Sequence, residues 1–354
     1  MRLLIITRAY SQTAGGLERL SFEMINALKN QPGLQIDIIH PSTEVSKNRF
    51  ARFLNSIIFI ATNLPRILIK ARPADRVHLG DPLLSKIGWL VKLIYKKPIS
   101  VHVHGTDITY PNFFYHLYLK LFFKNFDNYI CISDHVQKIL LTRYPKLSEK
   151  TLVLPPGFHD NFHDPSQTRS NLDQLLKTST ANKIILLTVG RLVPRKGHAW
   201  FIKNVLPHLP TNFIYVIAGT GPEQANLKNL NHPRVIFLGS TSSENLKTLY
   251  NTADAFIQPN IKIPGDTEGF GLVLLEAASC GLPVFASDID GIGSAIHSRQ
   301  NGLLLANENP TTWITNLKNF SPQKNLAARA YTLQVFSWPN LVKQYLSALT
   351  APYK

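Results

Sequence analysis

A chain of 354 residues is longer than one ordinary hydrophobic core, so two domains of roughly 150 to 200 residues are expected. Its apolar fraction is that of a globular protein, and the absence of a fixed-period repeat or a low-complexity tract argues against a solenoid or a disordered chain. The net charge of +16 suits anionic lipid, a phosphorylated substrate or nucleic acid, but no nucleic-acid-binding motif accompanies it, so no nucleic acid is expected as partner.

The charge is uneven. Over residues 45–100, "VSKNRFARFLNSIIFIATNLPRILIKARPADRV…KIGWLVKLIYKKP", 11 basic residues meet only Asp75 and Asp81. Cations interleave with Phe, Ile, Leu and Trp at near-helical spacing, which suits a helix lying on an anionic membrane surface. Ordinary amphipathic helices with solvated Lys/Arg faces are the alternative. The N-terminus lacks the apolar core of a signal peptide and no apolar run reaches the ~18 residues of a membrane span. A cytoplasmic protein, peripheral on the inner face of the plasma membrane, is the expectation. Cys131 and Cys280 sit in apolar segments without metal or redox spacing and read as buried thiols in a reducing compartment.

In chain order, "RLLIIT" reads as a strand, Leu17 to Lys29 as a helix and "IDIIH" as a strand. Then come "ISVHVHG", a helix near 113–124, "NYICIS", and a helix from Asp134 with Ser133 as its N-cap. Alternation of short apolar runs with helices predicts a parallel, doubly wound sheet. The pattern breaks in "PPGFHDNFHDPSQTRSNLDQ", which places a linker at about 156–182. It resumes with the strands "KIILLTVG", "FIYVIAG", "RVIFLG", "AFIQP" and "PVFAS". The predicted fold is α/β, two Rossmann-like domains, 1–165 and 166–337, facing a cleft where strand carboxyl ends bind ligand.

"TVGRLVPRKG" leaves a strand at Gly190 and sets Arg191 and Lys196 in the loop before a helix, a receptor for a diphosphate or else a solvated basic loop. "IAGTGPE" lets backbone approach a ligand at Gly219 and Gly221, or simply makes a tight turn. In "EGFGLVLLEA", Glu276 sits among large apolar side chains, where a lone carboxylate is costly and needs a polar partner. A ribose diol is one such partner; an Arg or Lys on a neighbouring element is another. Glu268 could take the hydroxyls of an attached sugar, while Gly269, Phe270, Gly271 and Leu272 offer backbone amides. Together these describe a nucleotide-sugar receptor.

These segments, with "LYNTADAFIQP" and "NGLLL", resemble the C-terminal domain of retaining GT-B glycosyltransferases of the group 1 or family 4 type. "AGGLERLSFEMINAL", "VHGTD" and "CISDHV" are similar to the same family's first domain, and "FSWPNLVKQYL" to its closing helix, here 338–352, which packs back on that domain. The resemblance covers nearly the whole chain and is loosest over 41–98. It implies that Glu276 binds the ribose, Glu268 the donor sugar, and Arg191 and Lys196 the leaving diphosphate. It further implies that Gly16 approaches the donor phosphates and that His104 lies near the donor sugar, with Asp107 close by on the acceptor side. Retention of anomeric configuration and independence of metal and other cofactors are also implied, with a glycan or glycolipid of the cell envelope, such as a lipopolysaccharide core, as acceptor.

One departure stands out: Ser294 in "DGIGSAI" replaces a glutamate common in the family, which bears on the geometry of that loop. The spacings His102/His104 and His159/His163 also suit Zn²⁺, but no third ligand is evident and no metal site is expected. A nucleotide-sugar epimerase of the same fold and a non-catalytic sugar-nucleotide-binding relative remain open as alternatives.

Overall fold

The structure, a computed structural model, describes residues 1–11, 16–41 and 49–350, with 49–57 described by backbone alone. The chain forms two compact units, Met1–His159 joined by the segment from Trp338, and Asp160–Ser337.

The first unit holds six parallel strands: β1 (Arg2–Ile6), β2 (Gln35–Ile39), β3 (Arg76–Leu79), β4 (Ile99–Val103), β5 (Asn128–Cys131) and β6 (Thr151–Val153). Their spatial order is β2-β1-β3-β4-β5-β6, with Leu3 of β1 opposite Ile36 on one side and Arg76 on the other. Leu3 through Ile6 are fully buried, because helices cover both faces of a parallel sheet and leave no polar side.

The second unit repeats the plan with β7 (Ile184–Val189), β8 (Phe213–Ala218), β9 (Val235–Gly239), β10 (Ala255–Gln258), β11 (Val284–Ser287) and β12 (Leu303–Leu305). They lie in the order β12-β11-β10-β7-β8-β9, also parallel. The winding reverses between β7 and β10, and ligand sites of open α/β sheets form outside the strand carboxyl ends at such a reversal. Two doubly wound sheets were expected, and two are present.

Several boundaries differ from the sequence reading. The units divide at His159/Asp160, six residues before the 165/166 boundary, because Asp160 already belongs to the second unit through its ion pair with Arg329. Phe162 packs on the Tyr250 ring, and the Asp164 amide donates to Asn251. The 156–182 stretch is not a bare linker: it contains the helix Arg169–Leu176, opened by a Thr168/Asn171 capping box and tied down by Arg169–Asp254 at 2.8 Å. The helix Trp338–Thr350 packs in the first unit. Trp338 Nε1 donates to Glu23 at 3.2 Å, and the Tyr345 hydroxyl donates to the Leu154 carbonyl. A Cβ on Gly157 would stand 2.5 Å from the Trp338 ring.

Candidate functional site

The second unit's site grows from the end of β7. The chain leaves Val189 through Gly190 (φ +144), and Arg191 emerges exposed. Pro194–Lys196 form one 3-10 turn closed by Gly197 in the left-handed region (φ +68). A Cβ on Gly197 would lie 1.8 Å from the Pro259 carbonyl oxygen, so this turn is pressed against the end of β10.

That contact buries Lys196, whose Nζ lies 2.6 Å from Oε2 of Glu268. Arg195 Nε stands 3.6 Å from the same oxygen and 3.7 Å from Asp266. Asn260 Nδ2 donates to that oxygen at 3.2 Å. The Glu268 backbone is clamped by the following loop: its amide donates to Asp290 at 3.0 Å and its carbonyl accepts from Gly291. Burial alone would raise the Glu268 pKa, but Lys196 and Arg195 outweigh it and hold the carboxyl below its ordinary value.

Gly269, Phe270 and Gly271 carry the chain from Glu268 into the helix Leu272–Ser279. Gly271 (φ +98) is its N-cap, and buried Phe270 packs on Phe336. Glu276 lies on this helix, nearly fully buried, and accepts a 2.7 Å hydrogen bond from the Tyr250 hydroxyl. Gly219 has a structural duty, since a Cβ there would meet the Gly190 carbonyl oxygen at 1.9 Å. Ser294 lies in the short helix Ile292–Ala295, directly after the Asp290–Gly291 clamp, so the loop departing from the family pattern is the one that grips Glu268.

In the first unit, Gly16 is exposed and opens the helix Gly16–Lys29; Ala14 and Gly15 lie outside the described residues. His104 follows β4 with Nε2 2.9 Å from the Gly80 carbonyl oxygen. A carbonyl only accepts, so Nε2 carries the proton and Nδ1 is the remaining ring nitrogen. Asp107 accepts the amides of His104 and Gly105 at 2.9 and 2.7 Å, fixing the turn at Gly105 (φ +110). Both of its carboxylate oxygens thus accept a backbone amide.

His102 stacks on His104 at 5.5 Å and joins a buried chain, with His78 Nε2 2.9 Å from His102 Nδ1 and His78 Nδ1 2.9 Å from Ser100 Oγ. Burial pushes the His78 pKa down to about 3 and lowers that of His102. Among the described residues, no group of three or more His, Cys, Asp or Glu side chains is placed to hold a metal ion. Both cysteines are buried free thiols.

Sequence reasoning missed Arg195, Asn260, Tyr250 and Asp290. Arg195 stands beside Lys196 in "PRKG", and Asn260 ends the run "FIQPN"; neither carries a spacing signal.

Comparison with known proteins matches residues 174–332 to "Glycosyl transferases group 1" and residues 14–162 to "Glycosyltransferase Family 4". The chain is 24% identical over 316 residues to the uncharacterized glycosyltransferase MJ1607 of Methanocaldococcus jannaschii, covering 82% of this chain and 80% of that protein. It spans 37–51% of the length of several D-inositol 3-phosphate glycosyltransferases that it also matches. Among solved structures it superposes on Anabaena Alr3699/HepE in complex with UDP with a TM-score of 0.76 and 20% identity, covering 99% of this chain and 100% of that one. It is also similar to WaaG, a glycosyltransferase involved in lipopolysaccharide biosynthesis, with a TM-score of 0.67 and 18% identity over 99% of this chain and 100% of that one. The chain thus carries a family 4 glycosyltransferase domain over 14–162 and a group 1 glycosyltransferase domain over 174–332, in the two-sheet fold of the solved GT-B glycosyltransferases.

Proposed function

We propose that the protein is a retaining, metal-independent glycosyltransferase that moves a hexose from a nucleotide-diphospho-sugar to a hydroxyl of a cell-envelope glycan or glycolipid at the cytoplasmic membrane face. The observation that carries this reading is the buried Lys196–Glu268 pair, with Arg195 beside it and Glu276 on the adjoining helix, at the winding reversal of the second unit.

In this reading Glu276, oriented by Tyr250, accepts the two ribose hydroxyls. Lys196, exposed Arg191 and the first amides of the helix Leu272–Ser279 stabilise the diphosphate as it gathers charge. The free oxygen of Glu268 holds the sugar. As the bond from the anomeric carbon to the phosphate oxygen breaks, the acceptor oxygen bonds to the same face, and its proton passes to the departing phosphate. UDP in the HepE structure supports a nucleotide donor, and the lipopolysaccharide pathway of WaaG supports an envelope acceptor.

A membrane-facing acceptor is further supported by the surface of the first unit. Phe113 and Phe114 are 76% and 77% exposed, and Leu117 and Leu121 are exposed on the same helix, Phe113–Phe122. Leu93 and Ile94 are exposed on the adjoining helix Ser85–Tyr95, among exposed Lys86, Lys120 and Lys124. The apolar surface therefore extends beyond the basic 45–100 region, and among the described residues no helix is long and apolar enough to cross a membrane.

Thermal unfolding with UDP, GDP, ADP and their sugars, on the wild type and on Glu276→Ala, tests the donor site. Ligand at 100 times its dissociation constant adds about 2.7 kcal/mol, which moves a midpoint by several degrees. A shift with one nucleotide that Glu276→Ala abolishes is expected; no shift with any of them overturns the reading. Conversion of the donor without acceptor would identify an epimerase instead.

A further inference from the structure

The buried polar atoms without a hydrogen-bond partner are unevenly spread. Among the described residues these atoms include Arg195 Nε, His198 Nε2, Gln258 Nε2, Asn260 Oδ1 and Ser287 Oγ. Arg195 and His198 lie in and just after the turn that follows β7, and Gln258, Asn260 and Ser287 lie at or just past the ends of β10 and β11. An unsatisfied buried donor or acceptor costs ~1–3 kcal/mol, so such a concentration marks a place where something else supplies the bonds.

Asn260 is the informative member. Its Nδ2 donates to Glu268 Oε2, and that orientation is fixed by chemistry: turning the amide over would aim Oδ1 at a carboxylate oxygen, acceptor against acceptor. Oδ1 is therefore an acceptor without a donor, on a side chain only 1% exposed. Glu268 Oε2 already takes Lys196 and Asn260, which leaves the other carboxylate oxygen for a ligand. The site thus presents two acceptors joined through one 3.2 Å bond. Two hydroxyls of one sugar match them in number and polarity.

We propose that Asn260 is a specificity-determining residue that accepts a donor-sugar hydroxyl beside the one taken by Glu268. This rests on the nucleotide-sugar reading above. A hydroxyl that meets a built acceptor is discriminated more strongly than one that meets apolar surface, because its absence leaves the buried acceptor unpaired.

The test uses whichever nucleotide-sugar stabilises the wild type, together with its 2-, 3- and 4-deoxy analogues and the free nucleoside diphosphate, titrated into the wild type, Asn260→Ala and Asn260→Ser. One deoxy analogue is expected to bind the wild type about tenfold more weakly than the parent sugar, the scale of one hydrogen bond. Asn260→Ala should bind the parent and that analogue equally. It should also bind the free diphosphate as the wild type does. Asn260→Ser, whose hydroxyl can donate to Glu268 and still offers an acceptor, should restore part of the preference; if the alanine variant does not fold, Asn260→Val takes its place. Equal weakening of every ligand, or no change in any, overturns the proposal, leaving Asn260 as a support for Glu268 with water on Oδ1. If no nucleotide binds the wild type, the donor reading itself has failed; if the diphosphate binds but no hydroxyl is discriminated through Asn260, only this inference has.

Discussion

Lys196 Nζ and Glu268 Oε2 stand 2.6 Å apart, and both side chains are about nine-tenths buried. The cation proposed for the leaving diphosphate and the carboxylate proposed for the sugar are thus two ends of one ion pair. Removing one end strands the other. Lys196→Ala should destabilise the protein by ~3–5 kcal/mol, as for other broken buried pairs, and lower turnover by ~10²-fold or more. The neutral double variant Lys196→Met with Glu268→Gln should regain much of the stability and none of the activity. Urea unfolding and turnover of the wild type, Lys196→Ala and the double variant check this; a double variant less stable than Lys196→Ala would contradict it.

Gly197 and Gly33 predict a different separation. A Cβ at Gly197 meets the Pro259 carbonyl at 1.8 Å, whereas one at Gly33, also at positive φ, meets nothing within 4 Å. Gly33→Ala should cost about 1 kcal/mol, the strain of a left-handed residue alone. Gly197→Ala must also move the turn that carries Arg195 and Lys196 away from β10, so donor binding should fail together with stability. Melting temperature and nucleotide affinity of the two variants measure the contrast.

Much of this was legible in the sequence because parallel strands buried on both faces are near-continuous apolar runs, as in "KIILLTVG" and "FIYVIAG". The strands missed were the short or mixed ones. β3 is four residues, with Arg76 at its start and His78 inside it, and β6 and β12 are three residues each. Glu276 stood out because charge inside an apolar run is conspicuous, and Arg191 and Lys196 because they follow a strand in the loop before a helix, whereas Arg195 and Asp290 carry no such mark. The pairing in the site was not legible: Lys196 and Glu268 are brought together by β7, β10 and the Gly197–Pro259 contact, a relationship with no local signature. Asn260 and Tyr250 belong to residue types common in loops and cores, so only their partners distinguish them.

The buried histidines make stability depend on pH. Burial holds His78 and His198 at about 3 and lowers His102 as well, while the unfolded chain titrates near 6.5. Below 6.5 the unfolded state takes up protons that the folded state refuses, so stability falls as pH drops from about 6.5 toward 3, by up to ~1.4 kcal/mol per pH unit for each such group. Glu268, with its lowered pKa, adds a loss in the same direction below its unfolded value of 4.5. His198 Nδ1 also meets the Tyr215 hydroxyl at 3.0 Å. His198→Gln should therefore be less stable than the wild type at pH 8, with the difference shrinking by pH 5. A constant difference across that range in urea titrations would show that His198 does not titrate on unfolding.

Exposed aromatic side chains in the first unit predict how the protein meets a bilayer. Phe113, Leu117 and Leu121 are spaced four apart and so share one face of their helix, Phe114 adjoins them, and exposed lysines flank them. Transfer of apolar area into the lipid and attraction of each Lys to anionic headgroups, ~1 kcal/mol apiece near the surface, act together. The first survives salt and the second is screened. The wild type should float with vesicles containing anionic lipid at low salt and be partly released at high salt. Phe113→Ser with Phe114→Ser should reduce flotation at both salt concentrations, while leaving the nucleotide-induced thermal shift of the second unit unchanged. Flotation that is equal on neutral and anionic vesicles would remove the lysines from the account, and absence of flotation on anionic vesicles at low salt would favour a soluble acceptor.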